Sequence, residues 1–93
     1  VKTIEVELLV AEVRLGLQTK EFLSSPLGKY ISGRAMKSKE EAFEAMMLVD
    51  PNDTESIREL QFRARLPSIV FTWLDEAINQ AQHAEETLSE IQE

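Results

Sequence analysis

Ninety-three residues, 43% of them hydrophobic and 29% charged with few Gly or Pro, suit one ordered, helix-rich domain rather than a disordered chain. A folded chain this short buries only about 60–65% of the surface its unfolded form exposes, so its stability is marginal without help from another chain. No cysteine is present, which excludes disulfides, thiolate metal sites and cysteine nucleophiles, and a net charge of −7 disfavours polyanions as partners.

The first segment, residues 3–23, reads two ways. Ile4, Val6, Leu8 and Val10 alternate with Glu5 and Glu7 as in a strand, but no second strand-like run exists to pair with it. Ile4, Leu8, Ala11, Leu15 and Phe22 also form a helical stripe with Glu5, Glu12 and Glu21 off it, so a helix is expected. Val6, Leu9, Val10, Val13 and Leu17 widen its apolar surface beyond one stripe, which calls for more than one neighbour.

"SSPLG" marks the start of a second helix over 26–49, because Ser25 suits the N-cap and Pro26 the first helical position, where no amide hydrogen bond is lost. Tyr30, Ile31, Ala35, Ala42, Phe43, Met46, Met47 and Val49 supply its apolar residues, while Gly28 and Gly33 each cost about 1 kcal/mol against alanine. Gly33 is a candidate turn. The junction "EEAFEAMMLVDPNDTESI" resembles the close of a tetratricopeptide repeat, but no second copy follows and Leu27-Gly28 is one position out of step. Kinship with that repeat implies a second helix divided at Gly33.

"VDPND" ends the second helix: Pro51 disfavours helical geometry at Asp50, and Asn52 or Asp53 caps the next helix, with Glu55 well placed in its first turn. Beyond it Ile57, Leu60, Ala64, Phe71, Leu74, Ile78, Ala81 and Leu88 form a heptad-like seam, with Pro67 and Glu85 at the two gaps. An interior proline costs near 3 kcal/mol, so the last helix is predicted kinked or broken near Pro67, as segments 53–66 and 68–91. The whole is then an all-α fold, an antiparallel helical hairpin or three-helix bundle in a single helical domain over 1–93.

Few residues invite chemistry. The lone His83 lies among polar neighbours without a second imidazole, and the adjacent acids Glu40-Glu41, Asp75-Glu76 and Glu85-Glu86 diverge on a helix. No nucleophile–base–orienter set or glycine-rich phosphate loop is recognisable. Lys29, Arg34, Lys37 and Lys39 form the one basic patch, but Lys37 sits four residues from Glu41, an ordinary mixed helical surface. No catalytic, cofactor-binding or metal-ligating residue is therefore nominated, no cofactor is expected, and the chain is expected not to be an enzyme.

Charge is uneven: residues 1–65 hold all ten bases against eleven acids, whereas 66–93 hold Asp75, Glu76, Glu85, Glu86, Glu90 and Glu93 with no base. The apolar runs fall far short of the roughly 20 residues of a membrane span, and "VKTIEVELL" carries no secretory signal, so a soluble cytoplasmic protein is expected. The greasiest stretch is "RLPSIVFTWLDEAI", where Phe71, Leu74 and Ile78 occupy one side and Leu66, Ile69 or Val70, Trp73 and Ala77 an adjacent one. Each large side chain left in water forgoes about 1.5–3 kcal/mol. A candidate interaction face follows: Val6, Val10, Val13 and Leu17 on the first helix, with Val70, Phe71, Trp73, Leu74 and Ile78 on the last.

"LGLQTKEFLSSPLGKYISGRA" followed by "VDPNDTESIRELQFRA" is similar to small helical proteins encoded by tailed phages and prophages among head and assembly genes, over residues 15–82. That resemblance implies a role in virion assembly or another phage-encoded protein interaction, with no catalytic residue to carry over, and a non-enzymatic protein–protein interaction module in the host cytoplasm or the virion is expected. Its expected partner is a second copy or another virion protein, with no membrane, no small-molecule substrate and nucleic acid disfavoured. The competing reading is an acidic inhibitor or nucleic-acid mimic that occupies a basic groove of a host protein.

Overall fold

A computed structural model describes residues 3–92, and among these there are three α-helices and no strand: α1, Thr3–Ser24; α2, Pro26–Leu48; α3, Thr54–Gln92. The all-α expectation holds, and the ambiguous first segment is helical from Thr3, with Glu5 in the first turn where the helix dipole favours an acid.

A single residue separates α1 from α2. The Ser25 amide donates to the carbonyls of Glu21 at 2.9 Å and Phe22 at 3.1 Å, and its hydroxyl donates to Phe22 O at 2.6 Å, so carbonyls at the end of α1 find partners. Pro26, which has no amide hydrogen to lose, opens α2. The helix then passes unbroken through Gly33, contrary to the turn considered there and to the division a tetratricopeptide repeat implies. Its exit is built by carboxylates: Asp50 Oδ1 accepts the Asn52 amide at 2.9 Å, and the Asp53 amide donates back to Asp50 O at 2.9 Å. Asp53 caps α3, accepting the Ser56 amide at 3.1 Å and the Ser56 hydroxyl at 2.7 Å.

The predicted break at Pro67 is corrected. α3 is one helix of 39 residues, about 58 Å long, with Pro67 inside it and buried. Continuity is the cheaper solution. Ending the helix would orphan a turn of carbonyls and a turn of amides, against the single bond and ring clash that proline imposes. It would also throw Leu60 and Ala64 out of phase with Phe71 and Leu74, which lie on the same side of α3 as Pro67 itself.

The chain divides into two compact units, residues 1–25 with 73–93 and residues 26–72. In the first, α1 meets the C-terminal part of α3 through small residues: Gly16 and Thr19 are buried on α1, Ala81 and Ala84 on α3. A Cβ added to Gly16 would overlap the Cβ of Ala81 and come within 3.4 Å of Ala77 O. The buried Thr19 hydroxyl is satisfied by Leu15 O at 2.8 Å. In the second unit, Gly28, Ala42, Ala64 and Pro67 are buried. Grooves there join Leu48 and Val49 to Ser56, Ala42 and Ala45 to Leu60 and Arg63, and Lys39 and Phe43 to Ala64 and Ser68. Numbering thus climbs along α3 as it falls along α2.

Candidate interaction surface

Small residues at helix contacts let axes approach closely but remove little apolar area from water. Among the described residues the buried apolar side chains are Ala42, Ala64, Ala81, Ala84 and Pro67, and no large side chain is fully buried. Large apolar residues instead lie half-covered or open on all three helices.

On α1, Val6, Val10 and Val13 are half-buried and Leu17 is exposed. Val6 and Val10 line a shallow outward surface with Ala11 and Leu15, where Glu7, Arg14 and Gln18 supply the polar groups. Leu15 is exposed there, and Ile4 and Leu8 are exposed as well. On α3 the nominated residues split: Phe71, Leu74 and Ile78 are half-buried, while Val70 and Trp73 are exposed, Trp73 at 62%.

Other open residues lie outside the nominated face, although the sequence reading set Leu66 and Ile69 or Val70 beside Trp73 on one apolar side. Phe62 is 61% exposed, and Leu66 and Ile69 follow it outward along α3. Met47 and Leu48, at the end of α2, are 87% and 88% exposed. The signal for Phe62 is its spacing: Phe62, Leu66, Ile69 and Trp73 repeat at intervals of four, three and four, as the seam residues do.

Polar chemistry is sparse. His83 is exposed, with Nδ1 3.9 Å from Glu86 Oε2, a contact that becomes an ion pair only when the ring is protonated. Arg63 and Glu59 pair at 2.7 Å on the surface of α3. Lys29, Arg34 and Lys37 are exposed, while Lys39 is half-buried in the groove floored by Phe43 and Met46. Asp75, Glu76, Glu85, Glu86 and Glu90 are all exposed. The pKa of Asp53 is lowered by the Ser56 hydroxyl and then by the Ser56 amide, both of which favour its ionised form. Among the described residues no group of three or more His, Cys, Asp or Glu is placed to hold a metal ion, and no helix is long and apolar enough to cross a membrane. Comparison with protein-family models, curated proteins and solved structures yields no match.

Proposed function

We propose that this chain is a non-enzymatic helical interaction module, a structural accessory of phage particle assembly, whose open apolar faces are covered by a second copy or by another virion protein. One observation carries the interaction reading: large apolar side chains lie outward on every helix while alanines fill the contacts between helices. In this reading the helix pairs of one chain become parts of a larger bundle completed between chains. The phage setting rests on the resemblance of the Ser-Pro-Leu-Gly helix start and the Asp-Pro-Asn-Asp turn to phage-encoded helical proteins.

Two measurements test it. Binding of an apolar dye to the dilute chain, falling as concentration rises and the faces close, is expected; a monomer that binds no dye at any concentration refutes the interaction reading. Mass spectrometry of purified particles and of assembly intermediates from a producing strain should find the chain at fixed stoichiometry, and its absence from both removes the phage role. If partner capture instead disappears when Glu85, Glu86 and Glu90 are reversed in charge and survives polar substitutions on the apolar faces, the chain is an acidic mimic.

A further inference from the structure

Within residues 26–72, a groove between α2 and α3 holds two cations and no acid: Lys39 and Arg65 line it over a floor of Phe43, Met46 and Ala64. Neither cation has a carboxylate three or four residues away on its own helix, and neither is ion-paired among the described residues. Lys39 is nevertheless half-buried. The groove's volume, about 260 Å³, falls below the roughly 300–1,000 Å³ of small-molecule pockets and suits one large side chain rather than a cofactor. We infer that it receives Trp73 of a second copy, with Glu76 of that copy set between Lys39 and Arg65. The inference rests on the interaction reading above and names its partner.

The chain carries the complement of this groove itself. Trp73, its one tryptophan, is 62% exposed. Glu76 follows three residues on, about 60° round the helix, and is also exposed and without an ion-pair partner among the described residues. An indole and a carboxylate thus project side by side from a stretch of α3 that has no Lys or Arg. In the groove, Phe43 offers a half-open ring to the indole and Met46 a polarizable thioether, while one carboxylate can accept from a guanidinium and an ammonium together. The other cations of α2 lack this combination: Lys29, Arg34 and Lys37 are fully open, and Lys37 has Glu41 one turn away. Charge also favours contact between unlike parts of two copies. Residues 26–72 carry equal numbers of acids and bases, whereas residues 73–93 carry acids and no Lys or Arg, so two of the latter segments repel. Because the contact joins residues 26–72 of one copy to residues 73–93 of another, it serves equally a reciprocal pair or copies joined in a row.

Trp73 reports its own burial. Emission of the full chain should shift to the blue as concentration rises, in step with the mass found by sedimentation equilibrium, with circular dichroism at 222 nm checking the fold of every variant. K39E/R65E should weaken association by about tenfold or more, whereas K29E/R34E, the same change of charge on open surface of α2, should leave it within about twofold of wild type. E76R alone should weaken it as well, and K39E/R65E/E76R, which exchanges the charges across the contact, should return it to within about threefold of wild type. If K39E/R65E loses helicity, W73A decides by sedimentation, because it removes an exposed ring and leaves every charge in place. Association that ignores both K39E/R65E and W73A, or a triple variant as weak as K39E/R65E, overturns the inference and leaves the proposed function standing. Emission that stays unshifted while the mass rises does the same, as does a chain that is monomeric throughout yet binds apolar dye. A monomer that binds no dye overturns both.

Discussion

Two glycines in helical backbone should respond in opposite directions to the same added methyl group. Gly33 has no atom within 4 Å of where a Cβ would stand, so Gly33→Ala gains the helix propensity of alanine, about 1 kcal/mol, at no steric cost. Gly16→Ala gains the same propensity but drives its methyl into Ala81 Cβ, which has no rotamer through which to retreat. Relief requires separating α1 from α3, and overpacking of this kind costs typically about 1–3 kcal/mol. With a rigid neighbour the upper end applies, so a net loss of about 2 kcal/mol is expected. For a domain of this size each kcal/mol moves Tm by about 4–8 °C, so G33A should melt about 4–8 °C above wild type and G16A about 8–16 °C below it. Thermal melts at 222 nm and matched concentration read both. The double variant G16A/A81G, which moves the missing methyl to the other helix, should recover most of the loss. If G16A melts at or above wild type, the close contact of α1 with α3 at Gly16 is wrong; a destabilised G33A would show that its surroundings are not open.

Asp53→Ala should lower Tm by removing the cap of α3, and Asp53→Asn should lower it less. Because the folded-state pKa of Asp53 lies below its usual value, its contribution is present above about pH 4 and is lost as pH falls through the lowered folded value. The gap in urea stability between wild type and D53N should therefore close on acidification, and a gap constant down to about pH 2 refutes the carboxylate cap. Pro67→Ala regains the roughly 3 kcal/mol of an interior proline, less about 1.6 kcal/mol for two buried methylenes and up to about 1 kcal/mol for a looser unfolded chain. The net should be a gain of about 0.5–1 kcal/mol, and a loss greater than about 1 kcal/mol would show that the ring's packing matters more than its backbone cost. If the apolar faces close between chains, Tm should rise with protein concentration, whereas a Tm constant over a hundredfold range would refute that coupling.

Helix boundaries were readable because local chemistry writes them. Pro26 has no amide hydrogen and Asp53 offers two acceptor oxygens, and each acts within three or four residues. Pro67 misled for the opposite reason: the local rule prices the lost bond, but not the register that an unbroken α3 keeps between Ala64 and Phe71. The packed side of α3 was legible as the heptad-like seam: Ile57, Leu60, Ala64, Phe71, Leu74, Ile78, Ala81 and Leu88 are all buried or half-buried, although Phe62, Leu66, Ile69 and Trp73 follow helical spacing equally well. Hydrophobicity favours the stripe with Phe, Leu, Ile and Trp. Close approach selects the other, because alanines let helices touch where leucines hold them apart. Gly16 belongs to the same logic: as a cost in helix propensity it looks like Gly33, and only the arrival of Ala81 distinguishes the two.

That inversion, alanine within and large residues without, bears on why the chain would retain both. Alanine contacts between helices bury less apolar surface than contacts between large side chains, and such burial is what offsets the conformational entropy of folding. Phe62, Trp73, Leu8 and Met47 hold exposed apolar area that, under the proposed function, a partner would cover. Left permanently open, such surfaces promote indiscriminate association. The exposed acids of α3, with no base after Arg65, oppose it by mutual repulsion. Under the proposed function, stability and selectivity draw on the same contact: the apolar residues favour a partner, and the acids of α3 restrict which surfaces can approach.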